Sequence, residues 1–185
     1  YRRMLKVLQW KNPRRHWLLK APSHLGNLPV LLRNFPDARV VISHRDPLVA
    51  QASVTSLLGT LYWMRSSQAF DASAFESLMT PEAGSARLND VVELLESGAV
   101  PKDRVSHVLY SQLLEQPLAT LQNLYADMAL PLEDDSTQAM RDYLERKPKG
   151  KFGKHRYQGD DEQERNRKRA LFQRYQQYFS VPDEV

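Results

Sequence analysis

The sequence predicts an α/β fold, a central mainly parallel sheet flanked by helices, on three observations. Residues 17–53 run as strand, loop, helix, strand, loop and helix start. Residues 38–43 are a short run rich in valine and isoleucine, the composition of a strand covered on both faces of a parallel sheet. Residues 104–110 alternate toward a further strand after an intervening helical stretch. Strands each followed by a helix make βαβ units with right-handed crossovers, and such sheets bind ligands beyond the carboxyl ends of their strands.

Taken in order, residues 1–10 read as an amphipathic helix with Met4, Leu5 and Leu8 on one face. Residues 16–20 have an apolar centre and end on Lys20, as a first strand would. Pro22 then breaks the run, since proline removes a donor and pushes the residue before it toward extended geometry. Leu25, Leu28, Leu31, Leu32 and Phe35 recur at helical spacing until Pro36-Asp37 stops them. After the valine-rich strand, Asp46 can cap a helix and Pro47 suits its first position. That helix is expected to reach about residue 66, with Val49, Ser53, Leu57, Leu61 and Met64 along one stripe. Residues 70–84 have weak periodicity and read as loop with at most a short helix. Residues 85–96 are amphipathic through Leu88, Val91, Val92 and Leu95, and Gly98 is a helix-ending residue by type. Helices over 117–128 and 135–146 follow, buried through Leu121, Leu124, Tyr125 and Met128, then Met140, Tyr143 and Leu144. Residues 159–179 close the chain as a helix, with a solvated charged face over 162–169 and apolar Leu171, Phe172, Tyr175, Tyr178 and Phe179.

The chain has 185 residues, enough for one well-buried domain, and a net charge of +4. It holds no cysteine, so disulfides and thiolate metal sites do not arise, which suits a reducing, cytoplasmic setting. No apolar run approaches the roughly 20 residues of a membrane helix, and no signal peptide heads the sequence.

Chemistry-bearing residues gather in two stretches. In the first, Lys20, His24, His44 and Arg45 all fall at the carboxyl ends of the two expected strands. Arginine's planar fork suits phosphate oxygens, and a helix start adds a positive dipole. Ser53, eight residues after Arg45, lies about two turns into the helix, ~9 Å along its axis. The triplet His44-Arg45-Asp46 imitates a kinase catalytic loop, but Gln51 stands where that loop needs asparagine and no Asp-Phe-Gly follows. The second stretch, residues 147–157, holds four lysines, one arginine and one histidine without an acid. Gly150 and Gly153 permit the sharp turns and close approach of an anion-binding loop. Read blandly, Arg45 is a structural ion-pair partner, His24 caps its helix, and the basic loop is a solvated turn.

Lys20-Ala21-Pro22-Ser23-His24, Phe35-Pro36-Asp37-Ala38-Arg39, and His44-Arg45-Asp46-Pro47 with Ser53 together resemble the sulfotransferases that use 3′-phosphoadenosine 5′-phosphosulfate (PAPS), with Lys149-Gly150-Lys151-Phe152-Gly153 and the following Lys154 resembling that family's late glycine loop in its bacterial-type branch. The resemblance implies a P-loop-NTPase-like sulfotransferase domain over residues 1–185, a fragment of a longer domain whose 5′-phosphosulfate loop would precede Tyr1. It implies that Arg45 and Ser53 hold the donor's 3′-phosphate and that Tyr110, followed by Pro117, lies near the adenine. Lys149, Gly150, Lys151, Phe152, Gly153 and Lys154 would close over the nucleotide. It further implies Lys20 as stabiliser of the leaving oxygen and His24 as general base, although His24 comes four residues after the lysine where some members place it two after. The implied reaction moves a sulfuryl group from PAPS to a hydroxyl or amine of a small-molecule or glycan acceptor, without a metal, a membrane segment or a specific nucleic acid. A reading from another class stays open: a non-catalytic module binding RNA or acidic polysaccharide through the basic loop. A nucleotide kinase would want a Walker-type loop, which the sequence does not supply.

Overall fold

The computed structural model describes residues 1–14, 16–75, 79–147 and 160–185. The chain runs α1 (Arg2–Gln9), a 3-10 turn (Pro22–Asn27), α2 (Leu28–Asn34), β1 (Val40–His44) and α3 (Pro47–Trp63), then α4 (Pro81–Glu96), β2 (Val105–Leu109), α5 (Tyr110–Glu115), α6 (Pro117–Asp127), α7 (Asp134–Arg146) and α8 (Glu162–Phe179). Among the described residues it is a helix-rich α/β fold built on a small sheet, β1 parallel to β2.

Two arginines bring these strands together. Arg39 donates to the Asp103 carbonyl at 2.8 Å, and the Nε of Arg104 donates back to the Ala38 carbonyl at 3.0 Å. Each tie lies just before a strand, and the ladder that follows pairs Val40 with Val105 and ends by pairing His44 with Leu109. Above the sheet, Val91 and Leu95 of α4 pack with Leu28, Leu32, Ile42, Val100 and Val105 in one core. Val92, one residue round the same helix, turns instead to Tyr175 of α8 and to Val181 beyond it. α4 is therefore sandwiched between sheet and α8. Burying side chains of this size contributes ~1.5–3 kcal/mol apiece.

Several expectations need correction. Residues 16–20 take no regular secondary structure and join no ladder among the described residues, so the βαβ unit expected across 17–53 is replaced by the pair β1 and β2. A strand exists through its hydrogen-bonded neighbour, and an apolar run alone does not supply one. β1 is not covered on both faces: Ile42 and His44 are buried while Val41 and Ser43 are exposed. In α1 only Leu5 buries, and Met4 and Leu8 face solvent. The stripe expected along α3 holds only at its start, where Pro47, Leu48 and Val49 are buried but Leu57, Leu61 and Met64 are exposed. Tyr143 and Tyr178, expected in the core, are exposed as well. α4 begins at Pro81 rather than Ser85: Thr80 caps it, its hydroxyl accepting from the Ala83 amide, so Thr80-Pro81 is a helix start rather than loop.

Candidate functional site

The register of the sheet builds the site. Because His44 pairs with Leu109, the next residues, Arg45 and Tyr110, emerge side by side at the carboxyl ends of the two strands. The Arg45 guanidinium lies 4.4 Å from the centre of the Tyr110 ring, a cation–π contact between residues far apart in sequence. Tyr110 opens α5 rather than ending the strand. Ser53 stands in the second turn of α3, half-buried, on the helix that Arg45 leads into.

Asp46 is the hub beneath. Its side chain is fully buried and its Oδ1 accepts from the Leu48 amide at 2.9 Å, capping α3. Arg169 of α8 grips both carboxylate oxygens, at 2.8 and 3.1 Å, and the Glu184 amide donates to Oδ2 at 2.7 Å. Burial pushes the Asp46 carboxyl up, but the Arg169 guanidinium and the amides of Glu184 and Leu48 outweigh it and hold it below the ordinary carboxylate range. Arg169 was expected on the solvated face of 162–169. It turns inward because Asp46 and Asp183 supply a compensating charge on each side.

His44 anchors the strand end from inside. Its Nδ1 lies 2.7 Å from the Tyr175 hydroxyl and its Nε2 lies 2.9 Å from Nδ1 of His107, while Phe179 stacks on its ring at 4.0 Å. Burial first, and the neighbouring His107 second, hold its pKa down to about 3, so the ring is neutral at ordinary pH. His44 thus serves structure, and the residue beside it, Arg45, carries the exposed charge.

Two acids that the sequence reading passed over complete the arrangement. Glu184 takes Arg45 in a two-pronged ion pair: Nε donates to both carboxylate oxygens at 2.9 and 3.1 Å, and Nη2 donates to Oε2 at 2.8 Å. Asp183 pairs with Arg169 at 2.9 Å and its Oδ1 accepts from the side-chain Nε2 of Gln176 at 2.8 Å. Nothing in local spacing pointed to either, because they meet Arg45 and Arg169 only through the packing of α8 on β1.

The remaining candidates lie elsewhere. Lys20 is exposed, just before the Pro22–Asn27 turn. His24 is half-buried in the Pro22–Asn27 turn, its ring 5.5 Å from that of Tyr1. Neither takes part in the Arg45–Tyr110 contact. Lys149, Gly150, Lys151, Phe152, Gly153 and Lys154 lie outside the described residues.

The arrangement is an arginine at a strand end leading into a proline-started helix, beside a tyrosine that follows the next parallel strand, where α/β sheets bind their ligands. A family model described as the sulfotransferase family matches residues 2–134, and the chain belongs to that family. It is similar to the crystal structure of the sulfotransferase STF9 from Mycobacterium avium, with 25% identity and a TM-score of 0.73 over 98% of this chain. The chain spans 46% of the length of that structure. No curated protein matches it.

Proposed function

We propose that the chain serves sulfuryl transfer from PAPS to a hydroxyl or amine of a small-molecule or glycan acceptor, with Arg45 and Ser53 receiving the donor's 3′-phosphate and Tyr110 beside its adenine. The observation that carries this reading is the meeting of Arg45 and Tyr110 at 4.4 Å, since the resemblance implies one nucleotide for both and the two residues come together from the ends of separate strands. A fixed guanidinium over an aromatic face offers a phosphate charge and a base a stacking surface. Lys149, Gly150, Lys151, Phe152, Gly153 and Lys154 would add further cations and amides over the nucleotide.

In the transfer, the bond between sulfur and the bridging oxygen of the donor breaks as the acceptor oxygen or nitrogen bonds to sulfur. The acceptor's proton goes to a base and 3′-phosphoadenosine 5′-phosphate leaves. As in phosphoryl transfer, positioning and neutralisation of charge on the equatorial and leaving oxygens supply the catalysis. Lys20 is proposed to stabilise the leaving oxygen and His24 to take the proton, for which a neutral imidazole is suited. The lack of cysteine accords with a cytoplasmic setting, and no helix among the described residues is long and apolar enough to cross a membrane.

Calorimetry on the intact protein tests the donor assignment. Charge-assisted hydrogen bonds are worth ~1.5–3 kcal/mol each, so 3′-phosphoadenosine 5′-phosphate should bind roughly a hundredfold tighter than adenosine 5′-phosphate, and Arg45→Ala should erase the difference. Equal affinities, with steep salt dependence for any polyanion, would replace this reading with that of a non-catalytic polyanion-binding module. His24→Ala should lower turnover by ~10²–10⁴-fold while nucleotide binding persists. Near-normal turnover would place the base elsewhere.

A further inference from the structure

We propose that Glu184 is an internal competitor for the Arg45 anion site, a carboxylate that a 3′-phosphate must displace in order to bind. The inference rests on the donor reading above. Arg45 spends its Nε and Nη2 on both oxygens of the Glu184 carboxylate, at 2.8–3.1 Å. That edge of the guanidinium is the one whose two parallel N–H bonds match a carboxylate or a phosphate equally well. Two anions cannot share one edge, so occupancy by Glu184 and occupancy by phosphate exclude each other there.

The segment bearing Glu184 is pinned so that only the side chain has to move. Val181 is buried against Val92 and Tyr175. Asp183 is tied to Arg169 and Gln176, the Glu184 amide is bonded to Asp46, and the Val185 carbonyl accepts from Arg169 at 2.8 Å. The Glu184 carboxylate, by contrast, is bonded to Arg45 alone among the contacts described, and its side chain is 30% exposed. Rotation about the side-chain bonds therefore vacates the guanidinium edge while the backbone stays in place, and the released carboxylate has water to enter. The exchange favours a phosphate monoester over a singly charged group, because it brings nearly two negative charges to the arginine where the carboxylate brings one. In the nucleotide-free protein the competing pair lowers the apparent affinity by the fraction of molecules whose Arg45 edge is open.

The test compares the intact wild-type protein with Glu184→Gln and Glu184→Ala by calorimetric titration with 3′-phosphoadenosine 5′-phosphate and with adenosine 5′-phosphate. A partly exposed ion pair is a modest competitor, so both variants should bind the 3′-phosphorylated nucleotide about 3–10-fold more tightly. Their affinity for adenosine 5′-phosphate should stay at the wild-type value. If wild type prefers the 3′-phosphate but the variants bind it no more tightly, or more weakly, competition is wrong, and weaker binding would mean that Glu184 orients Arg45 for the ligand. If neither wild type nor the variants distinguish the two nucleotides, the donor reading fails and the competition fails with it. Matching thermal unfolding of the three proteins excludes a folding effect as the source of any difference.

Discussion

Arg45 and Lys20 carry the same charge, each follows a short apolar run, and each was expected at a strand end, yet the fold treats them differently. Arg45 leaves β1 next to a fully buried aspartate, and it is held by Glu184 on one side and by the Tyr110 ring on the other. Beneath it, His44 is bonded to Tyr175 and to His107. Lys20 ends a stretch in which Trp17 and Leu19 are exposed and Leu18 is 99% exposed, with no ladder among the described residues. The same local pattern therefore yields a pre-set cation in one place and a solvated one in the other. What separates them is α8: it supplies Arg169 to Asp46, Tyr175 to His44, and the segment that carries Glu184.

The largest effect is expected at Asp46. Asp46→Ala removes the cap of α3, strands Arg169 in a mostly buried position and frees the Glu184 amide, all in one substitution. Losing one partner of a buried pair costs several kcal/mol. Because Asp183 still faces Arg169, we expect about 3 kcal/mol, read as a lowered midpoint in urea. A loss below about 1 kcal/mol would show that α8 does not depend on this hub.

Acid probes the same region through His44. Its pKa is about 3 in the fold and near 6.5 in an unfolded chain, so both states are neutral above pH 6.5 and the fold bears no penalty there. As pH falls from 6.5 toward 3, the unfolded chain takes up a proton that the fold refuses, and stability declines by up to about 1.4 kcal/mol per unit. Asp46, whose folded pKa is depressed, loses its contribution at lower pH still, as it protonates. Unfolding curves from pH 7 to 4.5 should show a loss of roughly 2–3 kcal/mol, and His44→Gln should flatten that slope. An unchanged slope would mean that His44 is not the group titrating.

The smallest effect belongs to the other end. Lys20→Ala and Leu18→Ser should each change stability by less than about 0.5 kcal/mol, as exposed residues away from caps and cores do. For Lys20 a sharp drop in turnover should accompany that neutrality if it acts on the leaving oxygen. Large destabilisation by Leu18→Ser would show that this side chain is covered in the intact protein, and would narrow the contrast with Arg45.

Local chemistry was enough to read much of this chain. Asp46-Pro47 announced the start of α3, and Leu88, Val91, Val92 and Leu95 marked the buried side of α4, because capping and a 3.6-residue period are properties of consecutive residues. The valine-rich run of β1 and the alternation of β2 were legible for the same reason. Arg45 and Tyr110 could be named as candidates one at a time. That they touch was settled by the parallel register, which pairs His44 with Leu109 across 65 residues. The strand expected at 16–20 failed on the same principle in reverse, since a ladder needs a second chain segment and no local pattern can guarantee one. Glu184 and Asp183 carried no signal in the sequence, and Arg169 fell on a face expected to be solvated. A charge is drawn inside only when the fold brings a partner to it at bonding distance, and that partner is chosen by tertiary packing, not by neighbours along the chain.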